Sequence, residues 1–476
     1  MDFLAQADRR PAPWLALLAL LLLVQIDPWW RPGNDACAYL SIARSVARGG
    51  PVERLGSRQI FFAPGYPLLI SPAFLIGDRP FRIIQTLHWL LAVALLLGVH
   101  RWARRSLPGG ALAVTWLVIV NASFWMHYRR TLSETAFMAV LVWTGEALQA
   151  ATLPGPAARR LGLTLLGALL AAALSAIRQA GIFLTAGFAV AMGLEAWRGR
   201  VGWPRAVLQS LAVGLPAAAV VLSLVLLDQR HAPESPGAST YLDHFVDPGL
   251  GLAERVSDGI RQRASDVGRL LVPGMVKAQS RQPTWLDPNL IVYLPVAAAA
   301  ALGWWRFARR AGDVWAWSLP FYLGFHVFWP FGQATRFVLP VLPLLWAAVW
   351  CLLERAPRRR QALLPLLAVA HLGVSAGFWV AERKEARELN ALWPALETLA
   401  APVRESGLEA AAVDLKDDRR FLLQFLIDRP LPNQESVSSV PGTARWVFAP
   451  ERMLPPPGFS PRRRSGGLQL LFREGN

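Results

Sequence analysis

The stretch that decides the fold is 31–50, RPGNDACAYLSIARSVARGG, which directly follows a leucine-rich segment. It predicts a short amphipathic helix, because Asn34 is a good N-cap and the pair Gly49-Gly50 readily ends a helix. Asp35 falls in the first turn, where the helix dipole favours a carboxylate. The same carboxylate, facing a lipid-carried substrate, could take a proton from a hydroxyl or an amine. A purely structural role and a catalytic base are therefore both open for Asp35.

The composition is that of a membrane protein. Of 476 residues, 54% are hydrophobic and 17% are charged, whereas soluble proteins carry about 25% charged residues. A net charge of +17 would suggest nucleic-acid binding in a soluble protein. Here the arginine clusters flank apolar segments, so we interpret them as topology determinants and expect no nucleic-acid partner. Cys37 and Cys351 fall in segments predicted on opposite sides of the membrane, so no disulfide is expected.

The first apolar segment, 14–26, follows Arg9 and Arg10 and runs into DPWWR without the small residues of a signal-peptide cleavage site. It is expected to remain as an uncleaved anchor. A span needs about 20 largely apolar residues, and this criterion predicts about eleven transmembrane helices. The spans after the first are predicted at 84–100, 111–127, 133–150, 161–177, 181–197, 204–228, 289–305, 313–331, 336–353 and 361–380.

One more apolar stretch, FFAPGYPLLISPAFLIG, is interrupted by Pro64, Pro67 and Pro72. Proline breaks a helix interior, and irregular backbone survives at membrane depth only where protein or a water-filled cavity satisfies it. We therefore expect a re-entrant or interfacial segment here.

Basic connections alternate along the chain with less basic ones; the basic ones are RWARRSLPGG, PGPAARR, WRGRVGWPR, WWRFARRAG and ERAPRRR. Positive connections stay in the cytoplasm, which predicts a cytoplasmic N-terminus. The polar region 381–476 then lies outside, and its strand-like pieces AAAVDL, ARWVFA and LQLLF predict a small α/β domain. Two domains are expected, 1–380 in the membrane and 381–476 outside.

The outer turn HYRRTLSE is dense in groups that bind anions, with His127, Arg129 and Arg130 close together. Glu134 ends this turn, and TLSE matches a capping box that opens the following span. Capping and a role in a site are both open for Glu134.

Arg178 and Arg336 lie in two very short outer turns, IRQAG and GQATRF, against the positive-inside tendency. Charged residues at membrane depth are costly and often functional, and a guanidinium binds phosphate oxygens in bidentate fashion. We expect the two arginines to act as a pair on a phosphate; the alternative is that they snorkel to the interface.

The long connection from 228 to 288 is expected to be a lid or binding element. It holds His231 and His244, which lack a tight metal-ligand spacing, as well as Tyr241, Asp243, Lys277, Arg281 and Trp285. The chain contains no GxxxxGK[ST], HExxH or GxSxG motif. The energy for any group transfer must therefore come from an activated donor.

Together these segments resemble the GT-C superfamily of membrane glycosyltransferases, in particular the bacterial branch related to protein O-mannosyltransferases and the lipid A aminoarabinose transferase. The resemblance covers roughly 10–380. It is carried by NDACAYLSIARSVARGG, FFAPGYPLLISP, RRTLSETAFMAVL, AIRQAGIFL and ATRFVLPVLPLL.

The resemblance implies an all-α polytopic fold with interfacial helices in the first outer loop. It also implies inverting transfer of a sugar from a polyprenyl-phosphate donor to a lipid, glycan or protein acceptor on the outer face. Asp35 matches the family's acidic base and Glu134 its acid in the second outer turn, while Arg178 and Arg336 match donor-phosphate contacts. Tyr66 of the PGYP segment joins His127, Arg129 and Arg130 as a substrate-binding residue. No cofactor is predicted, and a divalent metal stays open, since some members carry two adjacent acids where this chain has Asn34-Asp35.

Two other classes of function remain as alternatives. A lipid or sugar transporter, or flippase, would need ionisable residues along the middle of its spans, and the predicted spans hold only isolated ones such as Glu146 and His326. A non-catalytic GT-C relative would not need to keep both the Asp35 loop and the outer arginines. Both observations favour the transferase.

Overall fold

The computed structural model describes residues 3–31, 33–55, 62–231, 251–273, 289–311, 313–329, 334–354, 356–429, 431, 433–434, 443–455 and 458–473. Helices dominate this part of the chain. They are α1 (Phe3–Arg9), α2 (Ala12–Leu23), α3 (Asn34–Ala47), α4 (Gly65–Ile70), α5 (Phe81–Ser106), α6 (Ala111–Ile119), α7 (Ala122–Tyr128), α8 (Glu134–Thr152), α9 (Ala157–Ile177), α10 (Ile182–Trp197), α11 (Trp203–His231), α12 (Leu252–Leu271), α13 (Leu290–Ala311), α14 (Val314–Phe328), α15 (Leu342–Leu353), α16 (Pro357–Ala391), α17 (Trp393–Ser406) and α18 (Asp417–Ile427).

Six helices in the described ranges are long and apolar enough to cross a membrane: α5, α9, α10 with the turn before it, α11, α13 and α16. A seventh span results if α6 and α7, bent by 55° at their junction, are taken together. Helices also form at the other predicted spans, but α2, α14 and α15 have only 12, 15 and 12 residues, fewer than the roughly 20 that span a bilayer. Helix α8, at the predicted span 133–150, has 19 residues and is not among the helices that meet the criteria of length and hydropathy. The architecture is therefore polytopic, and the predicted number of eleven spans stays a prediction.

The break between α6 and α7 is made by Asn121, whose side chain is fully buried. Its Oδ1 accepts hydrogen bonds from the backbone N–H groups of Ser123 and Phe124, at 3.0 and 3.4 Å. Its Nδ2 donates to the carbonyl oxygen of Leu270 at 2.8 Å. An N-cap inside an apolar segment thus starts a new helix with its polar groups satisfied.

The chain forms two compact units. The first consists of Met1–Ile26, Gln85–Arg129 and Ser133–Trp379, and the second of Asp27–Ile84, Arg130–Leu132 and Val380–Asn476. The predicted domain boundary at residue 380 stays a prediction.

In the first unit, α8 packs on α9, α9 on α11, α10 on α14, and α13 on α15. Helix α12 packs on α13 and α14, in the region where the sequence predicted only a long connection. It approaches α14 closely at Gly259, where a Cβ would lie 1.9 Å from the carbonyl oxygen of Val327. A glycine is therefore required at this contact.

In the second unit, α3 packs on α18. The guanidinium of Arg44 donates to the carbonyl oxygen of Phe425 and forms an ion pair with Asp428, both at 2.8 Å. Helix α3 begins one residue earlier than predicted, because Gly33 in extended conformation occupies the N-cap position and Asn34 is already helical. The helix ends as expected, with Gly49 at a positive φ of 75°.

The C-terminal region forms a five-stranded sheet in the order β2-β1-β3-β5-β4. The strands are β1 (Ala410–Val413), β2 (Asn433–Gln434), β3 (Trp446–Pro450), β4 (Phe459–Ser465) and β5 (Leu468–Arg473). Strand β1 is parallel to β2 and β3, and β5 is antiparallel to β3 and β4. The three predicted strand pieces form β1, β3 and β5. Strand β4, which is arginine-rich and largely exposed, was not predicted from the sequence.

Candidate active site

The centre of the candidate site is the carboxylate of Glu134, the first residue of α8, whose side chain is 1% exposed. Its Oε1 accepts a hydrogen bond from Nη1 of Arg178 at 2.6 Å and another from Nε of Arg336. Its Oε2 accepts no hydrogen bond from the described residues. One buried acid thus holds the two arginines that the sequence predicted as a pair.

Three separate breaks in the helices bring these groups together. Glu134 opens α8, Arg178 lies in extended conformation between α9 and α10, and Arg336 lies in the 3₁₀ turn Ala334–Phe337 ahead of α15. Ser133 occupies the N-cap of α8 without a side-chain capping bond. The capping-box interpretation of TLSE is therefore not what the structure shows: the Glu134 carboxylate binds guanidinium groups.

The cluster extends to Arg263 of α12, which lies near the same aromatic ring, Phe337, as Arg178. The guanidinium carbons of Arg178 and Arg263 lie 5.9 and 5.5 Å from the centre of this ring. Nη1 of Arg263 lies 3.2 Å from Oδ2 of Asp266, and both side chains are at most 4% exposed. This contact is an ion pair without hydrogen-bond geometry, and the three guanidinium nitrogens of Arg263 donate no hydrogen bond to any described residue.

Burial shifts the pKa values of this second pair. It raises the pKa of Asp266 to about 7, although Arg263 and Arg269 act in the opposite direction. Burial also lowers the pKa of Arg263, against the opposing effect of Asp266. Arg263 and Arg269 are both buried beside this one acid. Because Asp266 is protonated more readily than an exposed aspartate, this part of the cluster carries a net positive charge.

The sequence reasoning missed Arg263, Asp266 and Arg269. Their spacing of three residues places them on one face of a helix, which was the available signal. It went unused because α12 was interpreted as part of a loop. Tyr322 of α14 was missed as well; it is buried, and it lies within electrostatic reach of Arg178, Glu134 and Arg263.

The predicted turn residues lie at different places. His127 is buried at the end of α7 and within electrostatic reach of Glu134. Arg129 is also buried, and its Nε donates to the carbonyl oxygen of Trp125 at 3.3 Å. Arg130 belongs to the second unit, where its side chain is 43% exposed and forms an ion pair with Glu382 at 3.3 Å.

Asp35 lies in the second unit, half-buried in the first turn of α3. Its charged neighbour is Arg54, whose pKa is lowered by burial and raised by the charges of Cys37 and Asp35. The Arg54 guanidinium carbon also lies 5.0 Å from the centre of the Phe62 ring. Asp35 is thus accessible enough to meet a substrate, and the guanidinium beside it is only partly buried.

Tyr66 is fully buried in the second unit, in α4. Its ring meets that of Tyr39 edge to face, with centroids 5.1 Å apart. Tyr39 in turn contacts Phe62 at 5.5 Å. The aromatic group joins α3 to the segment that follows it.

No group of three His, Cys, Asp or Glu side chains that could hold a metal occurs among the described residues. Several residues that the sequence analysis singled out in the long connection lie outside the described ranges. These are Tyr241, Asp243, His244, Lys277, Arg281 and Trp285.

Comparison with solved structures gives matches over nearly the whole chain. ArnT from Cupriavidus metallidurans bound to undecaprenyl phosphate matches with a TM-score of 0.58 at 14% identity, covering 97% of this chain and 98% of that one. AglB, the oligosaccharyltransferase of Archaeoglobus fulgidus, in complex with an inhibitory peptide and a dolichol-phosphate, matches with a TM-score of 0.55 at 12% identity, covering 92% and 69%. The mycobacterial arabinofuranosyltransferase AftD matches with a TM-score of 0.50 at 13% identity, covering 98% and 40%.

The chain has the GT-C fold. This confirms the predicted fold class, a polytopic helical protein with short helices in its first loop and a small C-terminal sheet. The GT-C fold and the apolar helices together make the chain an integral membrane protein. No protein-family model and no curated protein sequence matches it.

Proposed function

We propose that the protein is a membrane glycosyltransferase that moves a sugar from a polyprenyl-phosphate donor to an acceptor on the outer face of a bacterial inner membrane. The GT-C fold supports the reaction class. Two proteins of similar fold bind a lipid phosphate: ArnT binds undecaprenyl phosphate and AglB binds a dolichol-phosphate. AglB also binds an inhibitory peptide, and for this chain a lipid, glycan or protein acceptor fits the proposal.

The observation that carries the proposal is the buried arginine cluster of the first unit. Arg178 and Arg336 meet at Glu134, and the guanidiniums of Arg178 and Arg263 both lie within about 6 Å of the centre of the Phe337 ring. Three buried guanidiniums against two acids leave an excess of positive charge. A desolvated excess of this kind suits a phosphate group, whose oxygens match the fork of a guanidinium.

We propose that the reaction is a single displacement. An acceptor oxygen or nitrogen loses its proton to Asp35 and forms a bond to the anomeric carbon of the donor. The bond from that carbon to the phosphate oxygen breaks, and its electron pair leaves with the polyprenyl phosphate. Attack from the side opposite the leaving group inverts the anomeric configuration.

The arginines stabilise the charge that grows on the departing phosphate. A single well-placed donor of this kind contributes about 3 kcal/mol in comparable sites. Glu134 keeps both guanidiniums in place before the donor arrives, and His127 and Arg129 line the same end of α7. The substrate-binding roles that the sequence predicted for Arg130 and Tyr66 stay predictions.

The test is the release of labelled polyprenyl phosphate from a polyprenyl-phosphate sugar by the purified protein. Arg178→Gln and Arg336→Gln are each expected to lower the rate about a hundredfold, which corresponds to about 3 kcal/mol. Arg358→Gln, a change at an exposed arginine outside the cluster, is the matched control. Normal rates in both cluster variants would contradict the proposed role of the arginines. Lipid movement in vesicles without release would favour a flippase, and assay with EDTA decides whether a divalent metal takes part.

A further inference from the structure

A second cluster of arginines surrounds a cavity at the other end of α8. Glu134 and Thr152 are the terminal residues of this helix, which at 1.5 Å per residue places them about 27 Å apart, close to the roughly 30 Å of a bilayer core. The cavity has a volume of about 600 Å³. Its lining comes from the end of α8 with the connection to α9, the end of α10 with the connection to α11, and the end of α13, all in the first unit.

The lining is strongly basic. It contains Arg198, Arg200, Arg309 and Arg310 against one acid, Glu195. Glu195 pairs with Arg198 at 3.1 Å and with Arg200 at 3.3 Å, and Arg310 pairs with Glu354 outside the lining. The Arg309 guanidinium lies 5.5 Å from the ring centre of Trp305. In the part of the chain that the structure describes, it forms no ion pair with an acid.

Exposed tryptophans lie close in sequence to the arginines that line the cavity. Trp197, Trp203 and Trp305 flank the arginine-bearing segments and are 78%, 57% and 46% exposed. Exposed tryptophans are typical of the headgroup level of a bilayer. Leu153, 48% exposed, and Pro154 give the cavity an apolar side.

We propose that this cavity binds the phosphate of an anionic phospholipid from the cytoplasmic leaflet. Basic pockets between membrane helices on the cytoplasmic side attract such headgroups, and the arginine-rich connections are the ones predicted to face the cytoplasm. The apolar side accommodates the first carbons of the acyl chains, which a soluble anion such as glycerol 3-phosphate lacks. The site is separate from the Glu134 cluster and does not depend on the proposed transferase activity.

The test measures retention of lipid by the full-length protein in detergent, using native mass spectrometry with phosphatidylglycerol, phosphatidylcholine and glycerol 3-phosphate. The wild type is expected to hold one phosphatidylglycerol at least tenfold more tightly than phosphatidylcholine. The double variant Arg200→Gln/Arg309→Gln is expected to lose about 30-fold in phosphatidylglycerol affinity. The control Arg358→Gln/Arg359→Gln removes the same charge from exposed positions outside the cavity and is expected to lose less than threefold.

Three results would overturn the proposal. Equal affinity for phosphatidylglycerol and phosphatidylcholine would show that the cavity does not select for negative charge. An equal loss of affinity in the Arg358→Gln/Arg359→Gln control would show that the effect comes from the general surface charge. Competition by glycerol 3-phosphate at comparable affinity shows a site for a soluble anion. Should the double variant not fold, Arg309→Gln alone decides, with an expected loss of about fivefold, because this arginine forms no ion pair in the described structure.

Discussion

Replacing Glu134 with glutamine removes one negative charge from the centre of the arginine cluster and leaves the shape of the side chain unchanged. The carboxylate is 1% exposed, and the side chains of Arg178 and Arg336 are 13% and 11% exposed. Glutamine retains one acceptor oxygen, but two buried guanidiniums then face each other without their shared counter-charge. We therefore expect Glu134→Gln to destabilise the protein strongly.

The size of the effect follows from the geometry. At about 4 Å between charge centres and an effective dielectric constant near 20, each guanidinium attracts the carboxylate by about 4 kcal/mol. Desolvation offsets part of this attraction, and removing one partner of a buried pair costs about 3–5 kcal/mol. In a chain of 476 residues that corresponds to a fall of roughly 3–5 °C in Tm.

The assay is thermal unfolding of the purified protein in detergent, with and without undecaprenyl phosphate. The control is Glu388→Gln, which breaks an exposed pair with Lys384 at 4.0 Å and is expected to cost less than about 1 kcal/mol. The lipid is expected to raise Tm more in Glu134→Gln than in the wild type, since its phosphate supplies the missing negative charge. A Tm for Glu134→Gln equal to that of the control would refute the buried cluster as a determinant of stability.

Three further predictions address other parts of the structure. Gly259→Ala is expected to displace α12 and lower Tm by several degrees, because the added Cβ would lie 1.9 Å from the Val327 carbonyl oxygen; Gly193→Ala, with open space around it, should leave Tm unchanged. Burial raises the pKa of Asp266 to about 7 from 3.8, so the folded state binds its proton more tightly than the unfolded state. Stability is expected to fall by about 4 kcal/mol at most as pH rises from about 4 to 7, and a pH series of Tm should show no such fall in Asp266→Asn. Burial raises the pKa of Cys37 to about 12, so its thiol should resist maleimide at pH 7.5 in the folded protein and react after denaturation in SDS; labelling in the folded state would show that α3 opens.

Much of the fold was predictable because apolar segments and arginine-rich connections are local signals. The first-loop helix α3, the bent segment at 111–127 and three of the five strands all left such signals in the sequence. Strand β4 left none, because its arginines lack the alternation typical of a half-buried strand. Asn34 was misassigned as the N-cap for a similar reason: Gly33 fills that position through its extended backbone, which the residue types do not reveal.

The candidate site was predictable only in part. The sequence predicted Arg178 and Arg336 as a pair and Glu134 as a separate residue, and the structure joins all three through one carboxylate. The sequence could not show this pairing with Glu134, because it depends on three helix breaks that lie 44 and 202 residues apart along the chain. Arg263 and Asp266 were not predicted for a different reason. They lie on α12, a charged helix between two apolar segments, and in the sequence such a helix resembles a solvent-exposed loop. Only the structure shows that α12 packs on α13 and α14.

The most direct test of the account uses Asp35→Asn in purified, correctly inserted protein. With a labelled polyprenyl-phosphate sugar, the wild type is expected to transfer the sugar to an acceptor and release polyprenyl phosphate. Asp35→Asn is expected to bind undecaprenyl phosphate with unchanged affinity and to show no transfer, while Asp78→Asn, an exposed control on the same loop, keeps full activity. Transfer at the wild-type rate by Asp35→Asn would remove Asp35 from the role of base and contradict the proposed mechanism.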